Sequence, residues 1–403
     1  MSFQPPKGTD DFLAPESQSW REALRLWDEV SALYGYPLVM TPVFEATDLF
    51  QRSVGETTEV VTKQMYTFTD RGGRSVTLRP EGTAGVVRAF LDSGGQGAWK
   101  GAYSGPFFRY ERPQGGRRRQ FWQVGIEYLD VEDPTSDAEV IEVGYRFLTQ
   151  VGVPDLEILI NSLGDSVCRP AYIAELVAHL RSRQSELSAE SVRLIDRNPL
   201  RVLDSKVETA VVADVPRMVD HLCPACADHY AAVKAHLDTL GIPYTQDDTL
   251  VRGLDYYTRT AVEYIGTGLD MAQNAVGGGG RYDGLAESIG GRRVPGVGFA
   301  LGMDRIMLSI EDAERAYLDA YLVSETGPEE ALLVASRLRG QGLAIDFDTE
   351  GRSVKAQFRT ARRLAVPVIL VWRGGGNPID IQTDEGRWDA PLEEVTQWFE
   401  ERR

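Results

Sequence analysis

The sequence contains few residues that could form disulfides or act as general bases. Only three of its 403 residues are cysteines (Cys168, Cys223 and Cys226), too few for a disulfide framework, so a reducing cytoplasmic environment is expected. The four histidines all lie between His179 and His236. A Ser-His-Asp mechanism elsewhere in the chain is therefore disfavoured, and chemistry outside this window must proceed without a histidine base.

The sequence also lacks a long apolar segment. Its longest uninterrupted apolar run, 364–372, contains a proline and is about half the length of a membrane-spanning helix. The N-terminal MSFQPPKGTDDF has no apolar stretch of the kind found in signal peptides. The composition, 42% hydrophobic and 26% charged, is typical of a globular protein, and this length predicts about two or three domains.

Basic residues are in deficit, with 43 Lys and Arg against 60 Asp and Glu, so the formal net charge is −17. A polyanionic partner must therefore be met by local basic patches, because the overall field repels it. Two phosphate-binding motifs are missing as well: the GxxxxGK[ST] P-loop, and a GxGxxG that opens a helix after a strand. A phosphate site in this chain must be built from arginines on strands and loops.

Hydrophobic periodicity predicts a main body in which hairpins alternate with helices, as in α+β domains built on an antiparallel sheet. An amphipathic helix is expected over 15–35, followed by an extended segment that contains Pro42 and suits an edge or interface strand. Hairpins are expected around the turn at 70–73 and around the loop at 113–119. Residues 166–240 are rich in helix signals, which predicts an inserted helical subdomain.

Strand patterns return after this insertion. They lie in LVRGLDYYTRTAVEYI, in the glycine run 277–280 and in GVGFALGMDRIMLSI, where a strand is expected to turn into a helix. From about residue 318, short apolar runs alternate with helical patterns as β-α-β-α-β, which predicts a small α/β domain with parallel pairing. The predicted domain limits are 1–320 for the main body and 321–403 for the C-terminal domain.

A candidate ligand site lies in the second hairpin. Alternation along FFRYE places Arg109 and Glu111 on one face, and alternation along QFWQVGIEY does the same for Phe121, Gln123 and Glu127. An arginine, an amide and a carboxylate on one sheet face would suit a zwitterionic ligand. The same pattern is compatible with a solvated hairpin that is held by cross-strand ion pairs.

Two glycine-rich segments point the same way. GGGGRYDGL at 277–285 has no side chain over its first four residues, so a ligand could approach the backbone closely, although a flexible loop is the alternative. GVGFALGMDRI places Arg305 at the start of a helix, where the guanidinium and the helix N-terminus both favour an anion. A packed strand-to-helix turn is the alternative for that segment.

Several of these segments resemble motifs of a known family. FRYERPQGGRRRQFWQVGIEYLD resembles motif 2 of the class II aminoacyl-tRNA synthetases, GVGFALGMDRI resembles motif 3, and the segment ending at Pro42 resembles motif 1. LVRGLDYYTRTAVE, GGGGRYDGL and LRPEGTAGVVRAF are similar to segments of the histidyl-tRNA synthetase family. The resemblance covers essentially the whole chain. It implies the class II α+β catalytic fold with a helical insertion, followed by an α/β anticodon-binding domain.

The resemblance also implies an activity. The enzyme would activate L-histidine with ATP, release pyrophosphate and transfer histidine to the 3′ end of tRNA(His), as a homodimer. ATP would be a substrate with Mg²⁺ bound through it, and no tightly bound prosthetic group is expected. The alternative is the synthetase-like regulatory subunit of ATP phosphoribosyltransferase, a non-catalytic histidine sensor. That subunit typically lacks the anticodon-binding domain and the LVRGLDYY chemistry, and both are present here.

The same resemblance assigns roles to individual residues. Arg109 and Arg252 would be the catalytic cations beside the α-phosphate. The histidine-binding residues that it implies are Glu81, Gly82, Thr83, Arg109, Gln123, Glu127, Arg252, Tyr256 and Tyr257. The ATP-binding residues are Arg109, Glu111, Arg117, Phe121 and Arg305. For Arg252, which a strand along LVRGLDYY would place on one face with Leu254 and Tyr256, an ordinary ion pair to Asp255 or Glu263 is the alternative.

A basic segment in the C-terminal domain is a candidate RNA-binding helix. Along GRSVKAQFRTARR, four cations follow one another at spacings of three and four: Arg352, Lys355, Arg359 and Arg362. Such a stripe suits an RNA backbone or loop, and a solvated helix face is the alternative. In the motif 2 loop, further candidates for tRNA contacts are Gln114 and Arg119.

One constellation has metal-ligand spacing but is not predicted to bind metal. HLCPACADHY supplies His221, Cys223, Cys226 and His229 within a short segment. Structural zinc sites usually draw two ligand pairs from separated segments. This segment instead has the pattern of a helix in which the cysteines pack as small apolar residues. We therefore expect no metal at these four residues.

Overall fold

The computed structural model describes residues 3–55, 58–113, 115–203, 208–266, 274–310, 317–375 and 377–402. The chain divides into two units, residues 1–11 with 20–311 and residues 12–19 with 312–403. The first unit holds the two sheets formed by residues 44–302, and the second holds a separate five-stranded sheet. None of the helices in the described ranges combines the length and the apolarity needed to cross a membrane.

The sheets of the first unit are almost entirely antiparallel. Their strands are β1 (Phe44–Ala46), β2 (Thr67–Thr69), β3 (Ser75–Leu78), β4 (Trp99–Phe108), β5 (Gln120–Leu129), β6 (Glu157–Ser162), β7 (Thr245–Gln246), β8 (Thr258–Ile265), β9 (Ala275–Arg281) and β10 (Gly296–Gly302). A small sheet has the order β1-β3-β2, and a seven-stranded sheet has the order β4-β5-β10-β9-β8-β6-β7. Among the described strands of these two sheets, only β6 and β7 pair in parallel.

The helices before residue 311 are mostly amphipathic and pack on this sheet or on one another. They are α1 (Glu16–Leu33), α2 (Thr47–Val54), α3 (Thr83–Asp92), α4 (Pro134–Val151), α5 (Arg169–Ser182), α6 (Ala189–Ile195), α7 (Thr209–Val212), α8 (Pro224–Leu240), α9 (Leu285–Ser288) and α10 (Met303–Ser309). The expected first helix is α1. Its Trp27 is fully buried, with its ring centroid 5.2 Å from that of Phe147 in α4 and 6.0 Å from that of Phe299 in β10.

Most expected strands are present. The two hairpins are β2–β3 and β4–β5, the glycine run lies in β9, and β10 leads directly into α10. Two expectations are wrong. The first is that Arg109 lies within a strand: β4 ends at Phe108, and Arg109 lies just beyond it. The chain leaves the partner strand here, where the Tyr110 amide donates to the Gln64 carbonyl at 2.7 Å.

The second correction concerns LVRGLDYY. Residues 251–257 form a loop, and β8 starts only at Thr258. The backbone carbonyls of this loop are used by side chains from elsewhere instead of by a neighbouring strand. Arg201 donates to the Gly253 carbonyl at 2.7 Å, and Arg169 donates to the Tyr257 carbonyl at 2.7 Å. A strand-like alternation in the sequence therefore became a loop held by two arginines.

The second unit has the expected parallel β-α-β-α-β arrangement, with an extra hairpin. Its strands are β11 (Ala320–Ser324), β12 (Ile345–Phe347), β13 (Ile369–Trp372), β14 (Ile379–Thr383) and β15 (Gly386–Ala390), and its helices are α11 (Pro328–Gly340), α12 (Val354–Arg363) and α13 (Val395–Glu400). β11 pairs in parallel with β12 and β13, which the crossover helices α11 and α12 permit. The antiparallel strands β14 and β15 and helix α13 are additions that the pattern did not predict.

Candidate active site

A cleft of about 230 Å³ in the first unit collects most of the residues predicted to bind ligands. Its lining comes from the start of α3, the β4–β5 hairpin, the loop before β8, strands β9 and β10, and α10. The predicted site residues among its lining are Glu81, Gly82, Thr83, Arg109, Glu111, Arg117, Phe121, Gln123, Arg252, Tyr256, Tyr257 and Arg305. Segments far apart in the sequence thus meet at one place.

Guanidinium groups dominate one part of the lining. Arg109 donates through Nε to the Pro80 carbonyl at 2.8 Å, and its guanidinium carbon lies 5.3 Å from the centre of the Phe121 ring. Arg305 donates to the Ala275 carbonyl. Burial lowers the pKa of Arg305, and the neighbouring positive charges of Arg117 and Arg109 lower it further. Cations crowded in this way favour an anionic ligand.

Arg252 reaches the same cleft from the loop before β8. Its Nη1 donates to Oε1 of Glu263 at 2.7 Å, so the ion pair foreseen as an alternative is present, with Glu263 and not with Asp255. The side chain of Arg252 nevertheless lines the cleft. It lies against β9: a Cβ added at Gly278 would be only 2.6 Å from its Nη1. The glycine run is therefore a strand that makes room for a cation.

Two polar atoms in the lining have no hydrogen-bond partner within the described part of the chain. They are Nε of Arg252 and Oε1 of Gln123, and both atoms are buried. Buried polar atoms in folded proteins are nearly always paired. Among the described residues, Nε of Arg252 is a donor without an acceptor, and Oε1 of Gln123 is an acceptor without a donor. We therefore expect a ligand in the cleft to pair with them.

Glu81 is held rigidly at the start of α3. Its Oε2 accepts from the Thr83 amide at 2.7 Å and its Oε1 accepts from the Ala84 amide at 3.0 Å. Burial raises the pKa of Glu81, and these two amide donors oppose that rise. A carboxylate fixed at a helix N-terminus keeps one orientation towards the cleft.

Glu127 is the one predicted histidine-binding residue that does not line the cleft. It is fully buried and accepts hydrogen bonds from the hydroxyls of Tyr282 and, at 3.4 Å, Tyr103. Burial raises the pKa of Glu127 to about 8, while hydrogen bonds from Tyr282 and Thr83 lower it. Because Thr83 itself lines the cleft, Glu127 lies directly behind this part of the wall.

Sequence reasoning missed how the motif 2 loop is held. Arg118 donates to Oδ1 of Asp304 at 2.6 Å, and the Trp122 amide donates to Oδ2 of the same carboxylate at 2.7 Å. Asp304 is buried and lies in the first turn of α10, beside Arg305. Arg118 and Asp304 lie in the segments that resemble motifs 2 and 3, but nothing in the sequence indicates that they pair across 186 positions.

The predicted tRNA-binding residues that the structure describes lie outside the cleft lining. In the hairpin loop, Arg119 stacks its guanidinium 3.8 Å from the centre of the Tyr110 ring, and Gln114 lies outside the described residues. In the second unit, Lys355, Arg359 and Arg362 are exposed on α12. Arg352 precedes α12 and pairs with Asp348, so the expected stripe of four helical cations is corrected to three.

Comparisons with known proteins agree with the motifs. The model of the histidyl-tRNA synthetase family matches residues 8–306. A histidine–tRNA ligase of Halothermothrix orenii is 44% identical over 92% of this chain and 91% of that protein. One of Anaeromyxobacter dehalogenans is 45% identical over 96% of both. The crystal structure of apo S. aureus histidyl-tRNA synthetase is 35% identical, covers 99% of this chain and 100% of that one, and superimposes with a TM-score of 0.79.

These matches extend over the catalytic motifs, and the S. aureus structure shares the architecture of the chain almost from end to end. They confirm the class II fold that the sequence motifs predicted. The chain therefore belongs to the histidyl-tRNA synthetase family.

Proposed function

We propose that this protein is a histidine–tRNA ligase. It joins L-histidine to ATP as histidyl-adenylate, releases pyrophosphate, and then transfers histidine to the 3′ end of tRNA(His). The observation that carries this proposal is the cleft, where a cluster of arginines for a triphosphate shares one lining with Glu81, Gln123 and the tyrosine pair for an amino acid. The names of the curated relatives at 44% and 45% identity support it.

The amino-acid part of the site suits histidine. The α-ammonium is a donor, and we assign it to Glu81, Thr83 and the unpartnered Oε1 of Gln123. A neutral imidazole has one N–H donor and one acceptor nitrogen. We assign the imidazole N–H to the carboxylate of Glu127, behind the cleft wall at Thr83, and the acceptor nitrogen to the hydroxyl of Tyr257. Tyr256 and Gly82 complete the pocket. A site with such buried polar partners rejects amino acids that cannot satisfy them.

The nucleotide part of the site suits ATP. Arg109, Arg117 and Arg305 supply positive charge for the phosphates, and Phe121 provides a flat apolar surface for adenine stacking. Glu111 lies between the first two arginines, 4.0 Å from Nη1 of Arg109 and 3.8 Å from Nη1 of Arg117. Mg²⁺ enters as part of the substrate magnesium–ATP. The carboxylates of Glu111 and Glu263 are hard oxygen donors that fit such an ion.

The first step requires positioning and charge neutralisation, not a protein base. A carboxylate oxygen of histidine forms a bond to the α-phosphorus, and the bond from that phosphorus to the leaving pyrophosphate oxygen breaks. Negative charge concentrates on the α-phosphoryl oxygens, where Arg109 and Arg252 stabilise it. None of the four histidines, all of which are described, lines the cleft. The substrate carboxylate is already an anion and needs no deprotonation.

In the second step the 3′-terminal ribose hydroxyl of the tRNA attacks the histidyl carbonyl carbon, and AMP leaves. We assign residues 1–320 to catalysis, with the helical insertion at about 166–240, and residues 321–403 to anticodon binding. The exposed cations Lys355, Arg359 and Arg362 on α12 support contact with RNA. Arg119 and Gln114, in the motif 2 loop, are assigned to the acceptor end of the tRNA.

Two further assignments follow from the family and from surface features. We assign a homodimer, because the segment around Pro42 exposes a run of large apolar side chains: Leu38, Met40, Val43 and Phe44. We assign a cytoplasmic location, which suits an enzyme of protein synthesis whose three cysteines are all free.

The decisive experiment measures histidine-dependent ATP–pyrophosphate exchange and then charging of a tRNA(His) transcript. A histidine–tRNA ligase performs both reactions, with histidine strongly preferred over other amino acids. A protein that binds histidine but supports neither reaction would instead be a sensor of the kind found in ATP phosphoribosyltransferase. Exchange with another amino acid would overturn the assigned substrate.

A further inference from the structure

Four potential metal ligands lie close together at the N-terminal ends of helices α5 and α8. Asp165 and Cys168 lie just before α5, and Cys223 and Cys226 lie at the start of α8, 58 residues further along the chain. One ligand atom from each of the four side chains lies within 4.8 Å of the others. Cys168 and Cys226 are buried, and Asp165 and Cys223 are half-buried.

The spacing is that of a structural zinc site. The ligands form two pairs, Asp165-x-x-Cys168 and Cys223-x-x-Cys226, which come from separated segments. The set His221, Cys223, Cys226 and His229, by contrast, comes from one segment and lacks a second, separated ligand pair. In the structure, His229 lies 3.1 Å from Asp137 and His221 lies 3.5 Å from Glu175, so both histidines have other partners.

We propose that Asp165, Cys168, Cys223 and Cys226 bind one zinc ion. Three thiolates and a carboxylate select a thiophilic ion with tetrahedral geometry over Mg²⁺ or Ca²⁺, which prefer all-oxygen sites. Four protein ligands complete the coordination shell of Zn²⁺ and leave no position for a substrate or water. The site is therefore structural and holds the starts of α5 and α8 together.

The surroundings of the cluster fit a bound ion. The Asp165 amide lies 3.3 Å from Sγ of Cys168, as a donor to a metal-bound thiolate would, and the Val167 amide donates to Oδ1 of Asp165 at 2.9 Å. Three thiolates, one carboxylate and Zn²⁺ leave a net negative charge. Nη2 of Arg259 lies 3.8 Å from Oδ2 of Asp165, and the N-termini of α5 and α8 add partial positive charge.

The cluster is also connected to the loop that carries Tyr257. Arg169, the residue after Cys168, donates to the carbonyls of Leu163 at 3.0 Å and Tyr257 at 2.7 Å. The Arg259 amide donates to the Gly164 carbonyl at 2.7 Å. A metal that fixes Cys168 therefore fixes the residues that shape one side of the cleft, although no ligand of the metal lines the cleft itself.

The first test measures metal content in the full-length protein, expressed with added zinc and purified under reducing conditions without chelator. Mass spectrometry of the metals should find about one zinc per chain. Replacement by Co²⁺ should produce the sulfur-to-metal charge-transfer bands and the intense visible bands of tetrahedral cobalt thiolate. Three thiols should react with a disulfide reagent only after zinc has been chelated. These wild-type measurements do not depend on the folding of any variant.

Variants then assign the ligands. Cys168→Ser and Cys226→Ser should lose at least tenfold in zinc affinity, whereas Asp165→Cys should retain about one zinc per chain, because four cysteines also form a complete site. His221→Ala is the matched control and should keep its metal. Chelation should lower the Tm of the wild-type protein and have little effect on Cys168→Ser.

Several outcomes would overturn the proposal. Less than a tenth of a zinc per chain after reconstitution with Zn²⁺ or Co²⁺ would do so, and so would three thiols that react equally fast with and without zinc. A disulfide between Cys223 and Cys226 in freshly purified protein would also overturn it, and would show that these two cysteines are a redox pair. Loss of zinc in His221→Ala to the same extent as in Cys168→Ser would move the site to the histidine-containing set.

Discussion

Nη1 of Arg252 lies 2.7 Å from Oε1 of Glu263, and both side chains line the cleft. The carboxylate holds one edge of the guanidinium, while Nε remains without a partner among the described residues. The side chains come from a loop and from β8, so the ion pair orients a cation whose own backbone is not part of the sheet. Structural pairing and a catalytic role are therefore compatible for Arg252.

Arg252→Ala should reduce histidine-dependent pyrophosphate exchange by about 100- to 1000-fold, as removal of an oxyanion donor does in other enzymes. The reason is that charge develops on the α-phosphoryl group in the transition state, where a fixed cation acts most strongly. Transfer of histidine from preformed adenylate to tRNA should decrease less. Arg252→Lys should recover little, because an ammonium lacks the planar fork of donors.

The matched control for Arg252 is Arg217→Ala, which removes an arginine whose side chain is 60% exposed and pairs with Asp248. It should keep exchange within about twofold of wild type, because Arg217 is an exposed arginine outside the cleft lining. Exchange by Arg252→Ala within a few-fold of wild type, in a protein with unchanged Tm, would show that Arg252 is structural.

Glu127→Gln should raise the KM for histidine by about 10- to 150-fold, the loss expected when a buried hydrogen bond loses its charged acceptor. The substitution preserves volume at a fully buried site, so a cavity does not confuse the result. Steady-state exchange kinetics at varied histidine concentration measure the effect. An unchanged KM would remove Glu127 from the pocket.

The pH dependence of histidine binding should reflect the same carboxyl group. Burial raises the pKa of Glu127 to about 8, so it is largely protonated at pH 7 in the free enzyme. The imidazole N–H favours the carboxylate, so binding releases this proton. The kcat/KM for histidine should therefore show a second rise centred near pH 8, beyond the rise near 6.5 that deprotonation of free imidazole causes.

In Glu127→Gln, the rise centred near pH 8 should disappear, while the rise near 6.5 remains. A profile that is identical in the wild type and the variant would contradict the assignment of the upper inflection to Glu127.

Asp304→Asn should raise the KM for ATP by about tenfold and leave the KM for histidine nearly unchanged. The buried carboxylate accepts from Arg118 and from the Trp122 amide, and so connects the motif 2 loop to the helix that carries Arg305. Loss of the charged partner should also lower the free energy of unfolding by about 1–3 kcal/mol. Exchange kinetics and denaturant titration measure the two effects.

Asp214→Asn is the control for that substitution, because Asp214 is exposed and pairs with Arg183 on the surface. It should change neither the KM for ATP nor stability by a measurable amount. Equal increases in the KM values for ATP and histidine in Asp304→Asn would point to a general distortion instead of a loosened ATP site.

Replacing Lys355, Arg359 and Arg362 by alanine should raise the KM for tRNA while pyrophosphate exchange stays within about twofold of wild type. Each phosphate contact that is lost should reduce the slope of log K for tRNA binding against log salt concentration by about one. Arg337→Ala, at an exposed position on α11 of the same unit, is the control. Charging kinetics that are unaffected by the triple replacement would exclude α12 from RNA binding.

Wild-type protein should be a dimer of about 90 kDa by light scattering, since the chain is 44.7 kDa. Met40→Glu should shift it towards the monomer, because Met40 is 86% exposed in the isolated chain and a buried charge would be costly at an interface. Leu333→Glu, at a position 70% exposed on α11, should remain a dimer. Wild-type protein that is monomeric at micromolar concentration would overturn the dimer.

Local patterns in the chain predicted much of the architecture. The apolar spacing along α1, the DRGG turn between β2 and β3, and the passage from β10 into α10 each depend on neighbouring residues, whose side-chain periodicity is visible in the sequence. The motifs identified the family and named twelve of the residues that line the cleft. Such features are recognisable because each is encoded within about twenty consecutive positions.

Contacts between distant segments were decided by the tertiary structure alone. Alternation along LVRGLDYY predicted a strand, but the segment is a loop whose carbonyls accept hydrogen bonds from Arg169 and Arg201. No local pattern in the sequence indicates that these two arginines donate to it. The bond between Arg118 and Asp304 likewise joins positions 186 apart. The sequence around HLCPACADHY contains no second, separated pair of metal ligands. Asp165 and Cys168 come close to Cys223 and Cys226 only in the folded chain. Spacing along the chain determines which residues share an element, whereas packing of elements determines which residues meet.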